Sequence, residues 1–182
     1  MQNTVDDRFL FKMILAGSGG CGKTTLLTRY TTGDYFSDTK MTIGVDFAVH
    51  HFNLSNTGKK VTLQIWDFGG EKRFRAMLPS FCLGSSGVLM LFDLLRPYTF
   101  FELEDWVNVI KTNTLGEVPI ILLGSKFDLL QNPKNLAVKA KEITDFIKKH
   151  NLKGYLNISS KTNLNIQESF EKLTHLMMEN KK

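Results

Sequence analysis

The chain has 182 residues, 42% hydrophobic and 23% charged, with a formal net charge of +5. That length supports one domain with a substantial core, is short for two of ordinary size, and carries too much apolar content for a disordered chain. The positive balance sits on scattered lysines without an aromatic-rich basic patch, so no nucleic-acid partner is expected, and no run of about 18 apolar residues marks a transmembrane helix.

Strand and helix signals alternate from end to end. The mostly apolar run from Phe9 to Ala16 reads as a buried strand. Gly17-Ser18-Gly19-Gly20-Cys21-Gly22-Lys23-Thr24 follows it, and Thr24 to Thr32 can form a helix. Thr42 to Leu54 reads as a strand, Ser55-Asn56-Thr57-Gly58 as a turn, and Val61 to Trp66 as a second strand running into Asp67. These two strands are expected to pair as an antiparallel hairpin at the sheet edge. Val88 to Phe92, Ile120 to Leu123 and Tyr155 to Ile158 are further apolar runs. Lys134 to Lys153 holds the densest lysine cluster, expected on the solvated face of an amphipathic helix. In the last helix Ile166, Phe170, Leu173 and Met177 share one face, and Asn165 with Glu168 reads as a capping box.

Continuous apolar strands require cover on both faces of a sheet, and alternation with helices implies right-handed crossovers. The fold class is therefore α/β: a three-layer phosphate-loop fold, mostly parallel with one antiparallel edge hairpin and helices on both faces. One domain over residues 1–182 is expected, with its core at about 9–178. Ligand should sit at the carboxyl ends of the strands.

Residues 17–24 fit the phosphate-binding loop, Gly, four free positions, then Gly-Lys-[Ser/Thr]. Its backbone N–H groups, with the helix dipole, attract phosphate. Lys23 brings a point charge to the β- and γ-phosphates, and Thr24 offers a hydroxyl to Mg²⁺. A carboxylate at Asp67 can hold the same ion, usually through water, and Gly70 lets a main-chain N–H approach the γ-phosphate. Ser125-Lys126-Phe127-Asp128 follows the strand that starts at Ile120. There Asp128 can accept two hydrogen bonds from guanine, a donor pair that adenine lacks. Lys126 can lay its stem along the base, and Ser159-Ser160-Lys161 would complete the base pocket. Cys21 lies in the loop and Cys82 in an apolar stretch; neither a disulfide nor a metal site is expected, and a reducing cytoplasm fits. His50 and His51 are adjacent, so on a strand they face opposite ways and cannot chelate together.

In this order the motifs resemble those of the Ras-like small GTPases, and most of all the Rab family, from about Phe9 to Met178. The most specific stretches are Thr42-Ile43-Gly44-Val45-Asp46-Phe47 and Gln64-Ile65-Trp66-Asp67, with Arg73-Phe74-Arg75 behind them. The resemblance implies a GTP/GDP switch that uses Mg²⁺ and hydrolyses GTP. Its nucleotide contacts would be Gly19, Gly20, Cys21, Gly22, Lys23, Thr24, Thr25, Tyr35, Thr42, Gly70, Ser125, Lys126, Asp128, Ser159, Ser160 and Lys161. Tyr35 would lie against the guanine. Thr24, Thr42 and Asp67 would serve Mg²⁺, and Lys23, Thr42, Gly70 and Glu71 the hydrolysis. Thr42 would belong to switch I, ordered only with GTP, and Gly70 to Phe81 to switch II. Phe47, Trp66 and Phe81 match an aromatic triad that effectors recognise; filling core space is the other reading of Trp66. An exchange factor and a GTPase-activating protein are implied, and a monomer is expected.

Three departures bear on that expectation. Glu71 stands where the family usually has Gln; it could position water, and it would also repel the γ-phosphate. The alternative is therefore a module that holds GTP and scarcely hydrolyses it. Ser125 replaces the usual Asn, with a shorter reach and a weaker expected grip on guanine. No Cys ends the chain and no Gly follows Met1, so no stable lipid anchor is expected, and membrane contact would come through partners. No residue stands out as a built-in arginine finger. A small-molecule kinase on the same loop is disfavoured, because the guanine motif and Thr42-Ile43-Gly44 would then be coincidences.

Overall fold

The structure is a computed structural model that describes residues 8–37, 40–55, 57–71, 77–130 and 138–181. Strand β1 (Arg8–Ala16) leads through the glycine-rich turn into helix α1 (Lys23–Thr32). Then come β2 (Val45–Asn53), β3 (Lys60–Phe68), α2 (Leu78–Cys82), β4 (Gly87–Asp93), α3 (Tyr98–Phe101) and α4 (Leu103–Asn113). The chain closes with β5 (Ile120–Ser125), α5 (Ala140–His150), β6 (Tyr155–Asn157) and α6 (Ile166–Glu179). Among the described residues the strands form one sheet in the order β2-β3-β1-β4-β5-β6. β1 pairs in parallel with β3 and β4, β4 with β5 and β5 with β6. β2 is antiparallel to β3, Val45 opposite Phe68 and Asn53 opposite Lys60. The expected edge hairpin is thus present; Asn56 of its turn lies outside the described residues.

Strand alternation explains the two cores. Phe11, Met13 and Leu15 of β1 point to one face with Leu89, Leu91, Ile121 and Leu123, where α1 and α6 cover them. Ile14 and Ala16 point to the other with Val88, Met90, Ile120 and Leu122, under α4 and α5. Both faces are buried, which is why these strands read as unbroken apolar runs. On the first face Tyr30 of α1 stacks on Phe170 of α6 at 3.6 Å between ring centroids. In α6, Ile166, Phe170, Leu173 and Met177 are all buried, as their spacing predicts.

Several expected details change. β2 starts at Val45 instead of Thr42, because Gly44 has φ of +80° and breaks the extended run. β3 extends to Phe68, so Asp67 lies inside the strand and not after it. The capping box at α6 does not form. Asn165 adopts φ of +54°, and its side-chain amide donates to Asn157 O at 2.8 Å instead. A reciprocal bond of that type starts α5, where Lys139 N–H donates to Glu142 Oε2 at 2.7 Å. α5 is amphipathic, with Ile143, Phe146 and His150 buried; residues 134–137 of the lysine-rich stretch lie outside the described residues. His50 packs on Tyr30 while His51 Nδ1 meets Thr62 Oγ1 on the other face. Cys21 and Cys82 are both buried and free.

Candidate functional site

A cleft of about 300 Å³ opens at the carboxyl ends of β1, β3, β5 and β6. One wall is the glycine-rich turn and the start of α1: Gly19, Gly20, Gly22, Lys23, Thr24 and Thr25. Gly17 starts this turn at φ of +136°, and a Cβ there would meet Leu91 O at 2.2 Å, so only glycine fits. The buried Lys23 folds back over the turn, its Nζ donating to Gly17 O at 2.8 Å and Ser18 O at 3.0 Å. Cys21 differs from its neighbours, since its side chain points into the core and is fully buried. Burial pushes its thiol pKa up, with Lys23 opposing.

Three oxygen-bearing side chains meet at the start of α1. Thr24 Oγ1 lies 2.6 Å from Thr42 Oγ1 and donates to Asp67 Oδ2 at 2.5 Å; Thr42 Oγ1 is 3.4 Å from the same carboxylate oxygen. Asp67 is fully buried, and its Oδ1 has no hydrogen-bond partner among the described residues. Burial raises its pKa, although the Thr24 hydrogen bond and nearby Lys23 oppose the shift. A buried carboxylate with an orphaned oxygen beside two hydroxyls suits a hard divalent cation such as Mg²⁺, which binds through one or two carboxylates plus phosphates. No cluster of three or more His, Cys, Asp or Glu able to hold a metal occurs among the described residues. Gly70 closes this end of the cleft, packed so tightly on Ser18 and Gly19 that a Cβ would lie 2.2 Å from Gly19 N. Glu71 lines the cleft beside it.

At the far end the cleft is lined by Tyr35, Ser125, Lys126, Asp128, Ser160 and Lys161. Asp128 Oδ1 accepts a 2.6 Å hydrogen bond from Ser159 Oγ, so the buried Ser159 supports the wall without lining it. Ser125 lines the cleft as expected, with its hydroxyl turned to the backbone. Its hydroxyl reaches backbone, Cys21 O at 2.6 Å and Phe92 O at 2.9 Å, and thereby ties the phosphate loop to the base motif. Lys126 takes φ of +63°, and its Nζ pairs with the buried Asp93 Oδ2 at 2.8 Å.

Sequence reading passed over Ser18, Asp93, Arg96 and Glu102. The Ser18 hydroxyl donates to Glu102 Oε2, and Arg96 Nη2 donates to Gly19 O at 3.3 Å. These partners are 84 and 77 residues apart, and no local pattern marks them. Asp93, at the end of an apolar strand, carries the one usable signal: a carboxylate closing a buried strand demands cations.

Outside the cleft, Phe47 and Trp66 pack at 4.8 Å and Trp66 and Phe81 at 5.2 Å between centroids, with Lys12 Nζ over the Trp66 ring. Phe47 is 45% exposed and the other two are half-buried, so the cluster is a surface feature as well as packing. Arg73-Phe74-Arg75 lies outside the described residues. Among the described residues no helix is long and apolar enough to cross a membrane.

Comparison with known proteins agrees with this arrangement. The family model described as "Ras family" matches residues 12–179. The Ras-related protein RABA1h of Arabidopsis thaliana is 34% identical over 172 residues, 94% of this chain and 76% of its own. The Ras-related protein Rab11A of Nicotiana tabacum is 35% identical, over 94% of this chain and 77% of its own. The Ras-related protein RabC of Dictyostelium discoideum is 32% identical, over 93% and 84% respectively. With the phosphate loop, the six-stranded sheet and these relatives in agreement, the chain belongs to the Ras family of small GTPases and is Rab-like within it.

Proposed function

We propose that the chain is a guanine-nucleotide switch. It binds GTP and GDP with Mg²⁺, hydrolyses GTP to GDP and phosphate, slowly without an activating protein, and recruits effectors through its switch segments when GTP is bound. The observation that carries this reading is a single cleft lined by Lys23 and Thr24, by Thr42 and Gly70, and by Ser125, Lys126 and Asp128. Phosphate, cation and base chemistry then fall in one line.

In this reading the loop amides and Lys23 hold the phosphates and stabilise charge moving toward the β-γ bridge. Thr24, Thr42 and Asp67 would hold Mg²⁺, which would supply positive charge to neutralise the phosphates. Asp128 accepts the guanine ring N–H and exocyclic amine, and Ser159 steadies it. A partner of that type lost on adenine discriminates by a factor of about 10⁴. The Gly70 N–H and the Thr42 carbonyl place the attacking water. An arginine supplied by an activating protein would add roughly 10³ to 10⁵ in rate. The Phe47, Trp66 and Phe81 cluster, continuous with both switch segments, is the surface an effector would read.

Glu71 lines the cleft, and this favours a second reading, a module that holds GTP with little turnover, because its carboxylate would share that space with a γ-phosphate. One experiment separates the two. The nucleotide released on denaturing the purified protein is identified, and single-turnover hydrolysis is compared in wild type and Glu71→Gln. Released GDP with measurable turnover supports the switch. Released GTP, with turnover only in Glu71→Gln, supports the holding module. An adenine nucleotide overturns both.

A further inference from the structure

The phosphate loop is held from the side opposite the cleft. Arg96 follows β4 and does not line the cleft, yet it packs against the loop: a Cβ on Gly20 would meet Arg96 Nη2 at 3.1 Å. Its guanidinium is fixed on three sides. Nε donates to Asp93 Oδ2 at 2.8 Å, Nη1 to Tyr98 Oη at 3.0 Å, and Nη2 to Gly19 O at 3.3 Å. Asp93 is itself anchored. It is buried, its Oδ1 accepts Leu95 N–H at 2.9 Å, and its Oδ2 also holds Lys126 Nζ. Burial would push the Asp93 carboxyl pKa up, but the bonds from Lys126, Leu95 and Arg96 outweigh it and hold the pKa below the usual range.

The consequence follows from peptide geometry. Gly19 C=O and Gly20 N–H lie on opposite edges of one planar trans peptide. A cation that draws the carbonyl to itself therefore turns the amide away from it; Arg96 stands outside the cleft lining, whereas Gly19 and Gly20 belong to it. Two glycines in succession have little intrinsic preference for that orientation. An external contact has to set it. The positive charge behind the peptide also polarises it in the direction that strengthens the N–H as a donor.

We propose that Arg96, anchored by Asp93, is a positioning residue that aims the Gly20 amide at the phosphates of the bound nucleotide. The same Asp93 oxygen holds Lys126, so one carboxylate sets the register between the base end and the phosphate end of the cleft. This inference rests on the guanine-nucleotide reading above.

The test uses the whole chain loaded with Mg²⁺ and either the fluorescent analogue mant-GDP or unlabelled GDP, in wild type, Arg96→Ala and Arg96→Lys. Two quantities are read: the mant-GDP release rate and the ³¹P spectrum of bound GDP. A bond from a charged group supports about a tenfold change, so both variants should release mant-GDP about ten times faster. The β-phosphate resonance should move while the α-phosphate resonance stays. A lysine at 96 has one head and cannot span Asp93, Tyr98 and Gly19 together, so it should act in the same direction with the fold intact. If Arg96→Ala proves unfolded by circular dichroism, Arg96→Lys decides alone. Release within twofold of wild type with an unmoved β-resonance overturns the proposal. So does a general loss of affinity in which both resonances move together, because that is a structural effect. A wild-type protein that takes up no mant-GDP would overturn the underlying reading, and it would be seen before any variant is made.

Discussion

The tightest contact in the cleft predicts a separation of binding from hydrolysis. Gly70 lies where an added Cβ would stand 2.2 Å from Gly19 N, 2.3 Å from Ser18 C and 2.6 Å from Gly19 Cα. All three are backbone atoms of the phosphate loop, so no side chain can rotate away. Since Cβ contacts under 3.0 Å essentially never occur, Gly70→Ala must part the two segments by about 0.8 Å or more. Misplacing a reacting group by about 1 Å can cost 10²-fold in rate. We therefore expect single-turnover GTP hydrolysis in Gly70→Ala to fall by about 10²-fold, with mant-GDP release nearly unchanged, because the loop is held in place by Lys23 and Arg96, so the Gly70 segment is the one that yields, and Gly70 serves the γ-phosphate, which GDP lacks. Overpacking costs up to about 1–3 kcal/mol in a closed core, and the open side of the cleft keeps the cost here at the lower end. Quenched-flow or chromatographic assay of GTP conversion, paired with mant-GDP release, reads both quantities. Gly70→Ala hydrolysing within threefold of wild type would refute the reasoning.

Three further outcomes are expected. Asp67 has a raised pKa in the folded protein, so folding takes up a proton between the ordinary carboxylate range and that raised value. The empty protein, in chelator, should lose stability as pH rises through this window, and Asp67→Asn should flatten the slope; parallel slopes in the two proteins would contradict the assignment. The Tyr30 hydroxyl is buried with no partner among the described residues, while its ring stacks on Phe170. Tyr30→Phe removes an unmet polar group and keeps the stack, so urea unfolding should show a gain of up to about 1 kcal/mol, and a loss would show that the hydroxyl has a partner. Burial lifts the Cys82 pKa from 9.0 to about 11 and raises Cys21 as well. At pH 8 that lowers the Cys82 thiolate fraction roughly 100-fold, so a disulfide reagent should find both thiols slow until the protein is unfolded. A fast native thiol would contradict that burial.

The sheet was legible because each strand is either an unbroken apolar run or ends at a glycine-rich turn. The cleft was legible because Gly17 to Thr24, Thr42, Gly70 and Ser125 to Asp128 are short local patterns. What escaped was of two physical kinds. Strand ends depend on single dihedral angles, as at Gly44, where positive φ removes three residues from the expected strand. Support depends on side chains from distant parts of the chain. Arg96 reaching Gly19 and Glu102 receiving Ser18 are set by how α3 packs between β4 and α4, and nothing near either residue announces a partner. The cap at Asn165 belongs to the first kind, since its φ of +54° departs from the extended conformation of an N-cap and its amide turns to the carbonyl of Asn157.

The order β2-β3-β1-β4-β5-β6 also bears on how the protein is made. β1 leaves the ribosome first but stands in the middle of the sheet, and its parallel neighbours β3 and β4 are translated only later. The cleft takes its last wall from Ser160 and Lys161, and β4 is covered by α6. A nascent chain shorter than about 160 residues therefore has a phosphate loop with neither a base pocket beside it nor a finished core beneath it. The cleft can hold nucleotide only after Ser160 and Lys161 have emerged. A premature stop anywhere before α6 should yield chains that chaperones hold and proteases clear, instead of shortened switches that compete for the partners of the complete one.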